Sequence, residues 1–421
     1  MSFAAVGAKL ALDWNEIGLP TGTRFGWCKP RRLQLSALIA LVLLIAAGRA
    51  LAAFQIPLDA TGLGYTNFRV ADVPWSIHIV QVARTNPVYE IHSVHAANAA
   101  VGLETLSEQL GVLNPDLGTP VAAINGDFYQ RERAYAGAPR GLQIVDGELI
   151  SSPGNKVAFW IDANGEAHCS SVSSKFEVTW PDGTVSPFRL NADRPSNGVE
   201  LYTPSVGRST RTTGGQELIL ERAEGSAWLP LHVGKTYTAQ VKEVREGGNT
   251  KIPADALVLS LGTAAVRRQA PLKAGATVRI STATEPALHG VRTALSGGPL
   301  LVHNGHRQRL EGGIYDRYES SSMFESHPRS AIGWNKDSLF LVEVDGRQRG
   351  SVGMTLDQLA NFLVVIGCQE GMNCDGGGSA TLWFQGEVRN NPCERAEREI
   401  ANSLVIVKKK VGATNAAVPA R

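Results

Sequence analysis

The amino-acid sequence predicts an α+β fold: a β-rich mixed-sheet core with few helices and an inserted β-rich subdomain. Three observations carry this expectation. Short apolar or alternating runs recur through the 421 residues, Asx-Gly pairs punctuate them, and one segment joins a strong helix cap to helical spacing. The runs lie at 75–82, 121–124, 141–145, 157–161, 176–180 and 217–220. More follow at 237–244, 256–261, 277–280, 299–302, 338–344, 380–384 and 402–407. Between such runs sit Asp146-Gly147, Asn164-Gly165, Asp182-Gly183 and Asn304-Gly305. Asx-Gly accepts the positive φ angles of tight turns, so each predicts a hairpin.

The strong helix signal is Thr355-Leu356-Asp357-Gln358, a capping box in which Thr and Gln side chains satisfy unpaired first-turn amides. Leu356, Leu359, Ala360, Leu363 and Val364 follow at helical spacing, and Gly367 can end the helix. A weaker helical pattern covers 103–110. The stretch 169–287 reads as a β-rich subdomain inserted into one catalytic unit spanning 53–410. Residues 411–421 are small and polar, as a flexible tail would be.

The N-terminal 52 residues read differently. Lys29, Arg31 and Arg32 precede an apolar run at 37–47, and Ala50-Leu51-Ala52 follows. A basic start, apolar middle and A-x-A exit form a secretory pattern. Its run of 11 residues falls short of the roughly 20 that span a bilayer. Residues 1–52 are therefore expected to be a signal peptide or N-terminal anchor. The expected location is the periplasm or outside the cell, with membrane attachment only if the segment stays uncleaved. Beyond Cys28, the even set Cys169, Cys368, Cys374 and Cys393 predicts disulfides in such a compartment. Spacing alone leaves the pairing open, Cys368 with Cys374 and Cys374 with Cys393 being two options.

Charge narrows the partners. Without the six basic and two acidic residues of that segment, 35 Lys or Arg face 37 Asp or Glu. A near-neutral chain argues against nucleic acid, whose backbone demands a basic face. Paired histidines such as His92 and His95 lack any accompanying ligand motif, so no metal site is expected and no cofactor is implied. A structural calcium is not derivable from sequence.

Four motifs carry chemistry. Asn373-Cys374-Asp375-Gly376-Gly377-Gly378-Ser379 lies between the helix and the run at 380–384. Its glycines can aim amides into one concavity, while Asp375 adds a carboxylate and Ser379 a hydroxyl. Asn125-Gly126-Asp127-Phe128-Tyr129 follows an apolar strand, whose end fixes the direction of an amide and a carboxylate. His327-Pro328-Arg329-Ser330 offers the planar fork of Arg329 to a phosphate. Asp345-Gly346-Arg347-Gln348 lies between a strand and the capped helix, a common setting for anions. Taken singly, each motif also has a plain reading as an ordinary turn or a surface ion pair.

Together and in this order they resemble the phosphodiester glycosidase family, which includes N-acetylglucosamine-1-phosphodiester alpha-N-acetylglucosaminidases and exported bacterial proteins linked to exopolysaccharide. The resemblance spans 122–407 and takes in Arg194-Pro195-Ser196-Asn197-Gly198 and Leu295-Ser296-Gly297-Gly298-Pro299-Leu300. The chain departs from the family where Asp127 replaces a common glycine and where a proline is missing near Glu399. The resemblance implies hydrolysis of an alpha-glycosyl phosphodiester to free sugar and a phosphomonoester. It implies a phosphodiester-linked glycan as partner and a catalytic set of Asp375, Asp345 and Asn125. Asp375 would face the sugar carbon, with Asn125 and Asp345 orienting hydroxyls. Arg329, Arg347, Gly376, Gly377, Gly378, Ser379 and Asp127 would bind substrate or phosphate. Two rivals predict different outcomes: a non-catalytic glycan-binding protein, or a metal-dependent phosphodiesterase using Asp127, Asp345 and Asp375 as ligands.

Overall fold

The computed structural model describes residues 55–131, 133–223, 228–310 and 324–410. The expected leader over residues 1–52 and the tail over 411–421 lie outside them. Among the described residues no helix is long and apolar enough to cross a membrane.

The strands form four sheets. The first runs Leu63–Val70, Trp75–Ala83, Ser338–Val344, Arg329–Trp334, Glu370–Asn373, Leu300–His303 and His306–Arg307 in spatial order. The second runs Glu387–Val388, Leu382–Phe384, Thr119–Asn125, Asn402–Lys408 and Tyr89–His95. A third five-stranded sheet has Thr293–Ser296 at its centre, between Gln143–Val145 and Val157–Ile161. The eight-stranded fourth sheet draws on 173–285 alone, with Ser173–Thr179 and Thr277–Glu285 paired along seven residues. Pairing is antiparallel except for Arg189–Leu190 beside Val199–Tyr202.

All four Asx-Gly pairs join antiparallel neighbours. At Asp146-Gly147 and Asn304-Gly305 both residues take positive φ, as a two-residue hairpin requires. The capping box holds as well: Thr355 accepts from the Gln358 amide and Gln358 from the Thr355 amide, opening the helix Leu356–Val365. Gly367, at φ 91°, follows its end. The weaker pattern yields the helix Leu106–Gly111, capped by Thr105.

The first sheet is covered on both faces, which is why all seven residues of Ser338–Val344 are buried. Phe340, Val342 and Val344 pack with Leu359, Phe362 and Leu363 of the helix. Leu339 and Leu341 face the other way, into a core shared with Phe159, Leu382 and Leu404. Strand parity thus decides which layer each side chain enters.

The same parity corrects the disulfide expectation: Cys169, Cys368, Cys374 and Cys393 are free thiols. Cys368 packs in the helix-side core and Cys374 in the opposite one, so a sheet separates them. Cys169 rests 3.7 Å from Met372 Sδ. Alkylation of the unfolded, unreduced chain, read by mass spectrometry, is expected to label all four.

Candidate functional site

Antiparallel alternation brings the four motifs to one end of the first sheet. Arg329 pairs with Val344, so Asp345 leaves its strand beside the point where Arg329 enters. The Cys374 amide bonds to the Ser330 carbonyl at 2.8 Å and the Gly377 amide to the Pro328 carbonyl at 2.9 Å, which sets Asp375 alongside Arg329. The Asp375 amide in turn donates to the Gly126 carbonyl at 2.8 Å, joining the second sheet's motif to the first.

Asn125 clasps this junction. Its Nδ2 donates to the Asp375 carbonyl at 2.7 Å, and its Oδ1 accepts from the Ser330 hydroxyl at 2.6 Å and the Thr381 amide at 3.1 Å. Only 1% of it is exposed. The expected sugar-orienting amide is therefore a tie within the protein, because its polar atoms already have buried partners.

Asp375 is partly open to solvent. Its Oδ1 accepts the Gly376 amide at 2.9 Å. Burial raises its carboxyl above the usual range, while the Ser379 hydroxyl, the Gly376 amide and the charge of Arg398 pull the other way. Asp127 sits deeper, 2% exposed, and neither carboxylate oxygen finds a well-formed hydrogen bond among the described residues. Burial pushes it up to about 6 and nearby Asp375 adds to this, against the pull of Lys156 and the Phe128 and Gly141 amides. Asp127 was expected among the phosphate-binding groups, but a buried carboxylate beside a second one repels an anion.

The glycines serve the protein first. Gly377 has φ 62°, and a Cβ on Gly378 would lie 2.1 Å from the Arg398 guanidinium. The Gly376 and Gly377 amides already have protein acceptors, Asp375 and Pro328. Those two are therefore turned away from the anion role expected of them. Side chains take the place over the run: Arg347 is exposed and comes within 3.3 Å of where a Gly377 Cβ would be, and Arg398, paired with the Glu394 carboxylate, covers Gly378. Ser379, fully buried, lies 3.4 Å from Arg398 Nη1.

Arg329 departs from expectation. Pleat parity sends its side chain to the helix side of the sheet, where Nε donates to the Met354 carbonyl at 2.8 Å and Nη2 to the Glu325 carbonyl at 2.9 Å. Burial and the charge of Arg347 lower it to about 10. The Asp345 carboxylate is held by protein partners: His78 Nε2 lies 3.1 Å from its Oδ2, and the Asn391 amide donates to Oδ1 at 2.8 Å. It is thus engaged by the protein rather than by any sugar over the glycines. Among the described residues Asp127, Asp345 and Asp375 do not gather within metal-binding reach of one another; His78, Glu343 and Asp345 do.

Sequence reasoning missed Arg398. It pairs with Glu394 four residues earlier, an ordinary surface signal, and only the fold returns it to the glycine run. Arg140, exposed, acts on Asp375 from the opposite segment and was equally silent.

Residues 234–407 match the family model described as phosphodiester glycosidase. A 118-residue stretch is 36% identical to the SPbeta prophage-derived uncharacterized protein YomE of Bacillus subtilis (strain 168), covering 25% of this chain and 18% of that relative. The chain thus matches less than a fifth of that curated relative's length. A hypothetical protein from Synechocystis superposes with a TM-score of 0.66 at 20% identity, over 82% of this chain and 62% of that one. A solved protein of Burkholderia pseudomallei K96243 gives 0.60 at 17% identity, over 79% and 74%. Both share the fold.

Proposed function

We propose, from the premise that residues 234–407 belong to the phosphodiester glycosidase family, that this chain hydrolyses an alpha-glycosyl phosphodiester to free sugar and a phosphomonoester. The observation that carries the reading is the juxtaposition at one rim of a partly open carboxylate, Asp375, with Arg347 and Arg398 over the adjoining glycines. Breaking the sugar C1–O bond builds positive charge on the sugar and negative charge on the phosphate. The carboxylate answers the first and the guanidiniums the second.

Water attacks C1, the bonding pair leaves with the phosphate oxygen, and Asp127 takes the proton from water. A carboxyl raised to about 6 is a better proton acceptor near neutrality than an ordinary aspartate. The phosphate is a weak base and leaves with little help from an acid. The secretory pattern of residues 1–52 supports action outside the cytoplasm, on cell-envelope or exopolysaccharide phosphodiesters.

A panel of glycosyl-1-phosphodiesters tests the reading. Free sugar plus phosphomonoester supports it, whereas sugar phosphate or saturable binding without turnover overturns it. On a substrate from that panel, Arg347→Ala and Arg398→Ala are each expected to raise KM roughly tenfold to a hundredfold, the loss of a charge-assisted contact. Unchanged steady-state kinetics in both variants would remove the phosphate assignment.

A further inference from the structure

A second polar cluster stands outside the proposed reaction. His78 and Glu343 are directly opposite on adjacent strands, and Asp345 follows two residues after Glu343. Parity turns the first two to the face bearing Val80 and Leu341, an apolar surrounding. Exposure is 3% for His78, 0% for Glu343 and 5% for Asp345. One donor atom from each lies within 4.8 Å of the others.

Two features separate this cluster from a buried ion pair. Neither oxygen of Glu343 has a well-formed hydrogen bond among the described residues. The Asn390 amide beside it gives one N–H to the Ala380 carbonyl and accepts from the Leu382 amide, so it turns at most its second N–H towards Glu343. A carboxylate buried this way is costly unless a cation meets it. The second feature is the imidazole. His78 points Nε2 at Asp345, while its Nδ1 lies 2.8 Å from the Tyr65 hydroxyl. Metal-ligating histidines are oriented in this manner through their other ring nitrogen.

We propose that His78, Glu343 and Asp345 form a binding site for a divalent transition cation of the Zn²⁺ or Mn²⁺ class. One imidazole with two carboxylates is a mixed N/O donor set, whereas Ca²⁺ and Mg²⁺ favour oxygen alone. Metal–donor bonds of about 2.0–2.2 Å put donors roughly 3–4 Å apart. The 3.1 Å His78–Asp345 contact already meets that spacing. Cys393 lies within electrostatic reach of Glu343 and places a thiol nearby.

The ion would brace the rim from behind. Asp345 opens the loop that carries Arg347, and its Oδ1 holds Asn391 at the start of the segment leading to Arg398. Gln348 donates to the Asn391 carbonyl at 2.6 Å, tying the same two loops. The cation therefore positions the two guanidiniums and touches no substrate.

The untagged full chain, stripped with a chelator, would be dialysed separately against Zn²⁺, Mn²⁺ and Ca²⁺. Bound metal is then counted by mass spectrometry and melting is followed. About one Zn²⁺ or Mn²⁺ per chain and a raised melting midpoint are expected, because ion binding adds to folding stability. His78→Ala and Glu343→Gln should each retain less than about a tenth of that metal. Glu343→Gln also gives a reading free of folding failure. Stripped of metal it should melt above the wild type, having lost a buried acid with no well-formed hydrogen bond, and with metal supplied it should melt below. A wild type that retains neither Zn²⁺ nor Mn²⁺, or full occupancy in both variants, overturns the site. No substrate enters these measurements, so their failure is separate from failure of the glycosidase reading.

Discussion

Asp375→Asn is expected to lower kcat on an alpha-glycosyl phosphodiester by about 10²–10³-fold, the scale on which removal of one well-placed electrostatic group acts. Asn keeps an oxygen to accept the Gly376 amide, so the turn that holds residue 375 survives the substitution. What disappears is the negative charge that the proposed reaction sets against the sugar. KM should change little, because the proposed reaction leaves the phosphate to Arg347 and Arg398, which the substitution does not touch. Steady-state kinetics beside a thermal melt separate the cases. Full activity in a folded variant refutes the assignment, and a kcat loss that tracks a lowered melting midpoint reassigns Asp375 to structure.

Asp127→Asn should move stability and activity in opposite directions. The folded-state pKa of Asp127 is raised from 3.8 to about 6. Its native form therefore holds a proton more tightly than its unfolded form, and stability falls as pH rises from about 4 through about 6, then stays low. Two units correspond to about 2–3 kcal/mol lost at pH 7. Asn carries no such charge, so the variant should be more stable than wild type at pH 7 by that order. The difference should shrink to near zero below pH 4. Turnover should fall, since the proton acceptor for water has gone; groups held in a costly environment for function commonly show this exchange. Denaturant unfolding at several pH values measures it. A stability difference that is flat across pH, or a variant less stable at pH 7, would sink the account of Asp127 as a strained carboxyl.

Hairpins, cap and strand runs were legible because each rests on local physics. Asp146-Gly147 forms its turn through backbone angles that few other pairs adopt, and Thr355 with Gln358 closes a cap within four residues. The strands Leu63–Val70 and Tyr89–His95 were missed, since Thr66, Asn67, Glu90 and His92 interrupt the apolar pattern with polar residues. The motif positions were legible in the same way: Asn125, Arg329, Asp345 and Asp375 all stand at strand ends that meet. Their directions were not. Arg329 and Ser330 are neighbours in sequence, yet the pleat sends one to the helix side and the other to Asn125. The cysteine count likewise suggested bridges that the sheet between Cys368 and Cys374 separates.

By itself, then, the amino-acid sequence determined the β-rich architecture, its turns and its capped helix, because short-range backbone preference and apolar period act within a few residues. Only the tertiary structure decided which side chains share a face. It set Arg398 over Gly378, buried Asp127 with no well-formed hydrogen bond among the described residues and grouped Asp345 with His78 and Glu343 rather than with Asp375. The physical reason is that strand parity and pairing between distant segments orient a side chain, and neither is written in its immediate neighbours.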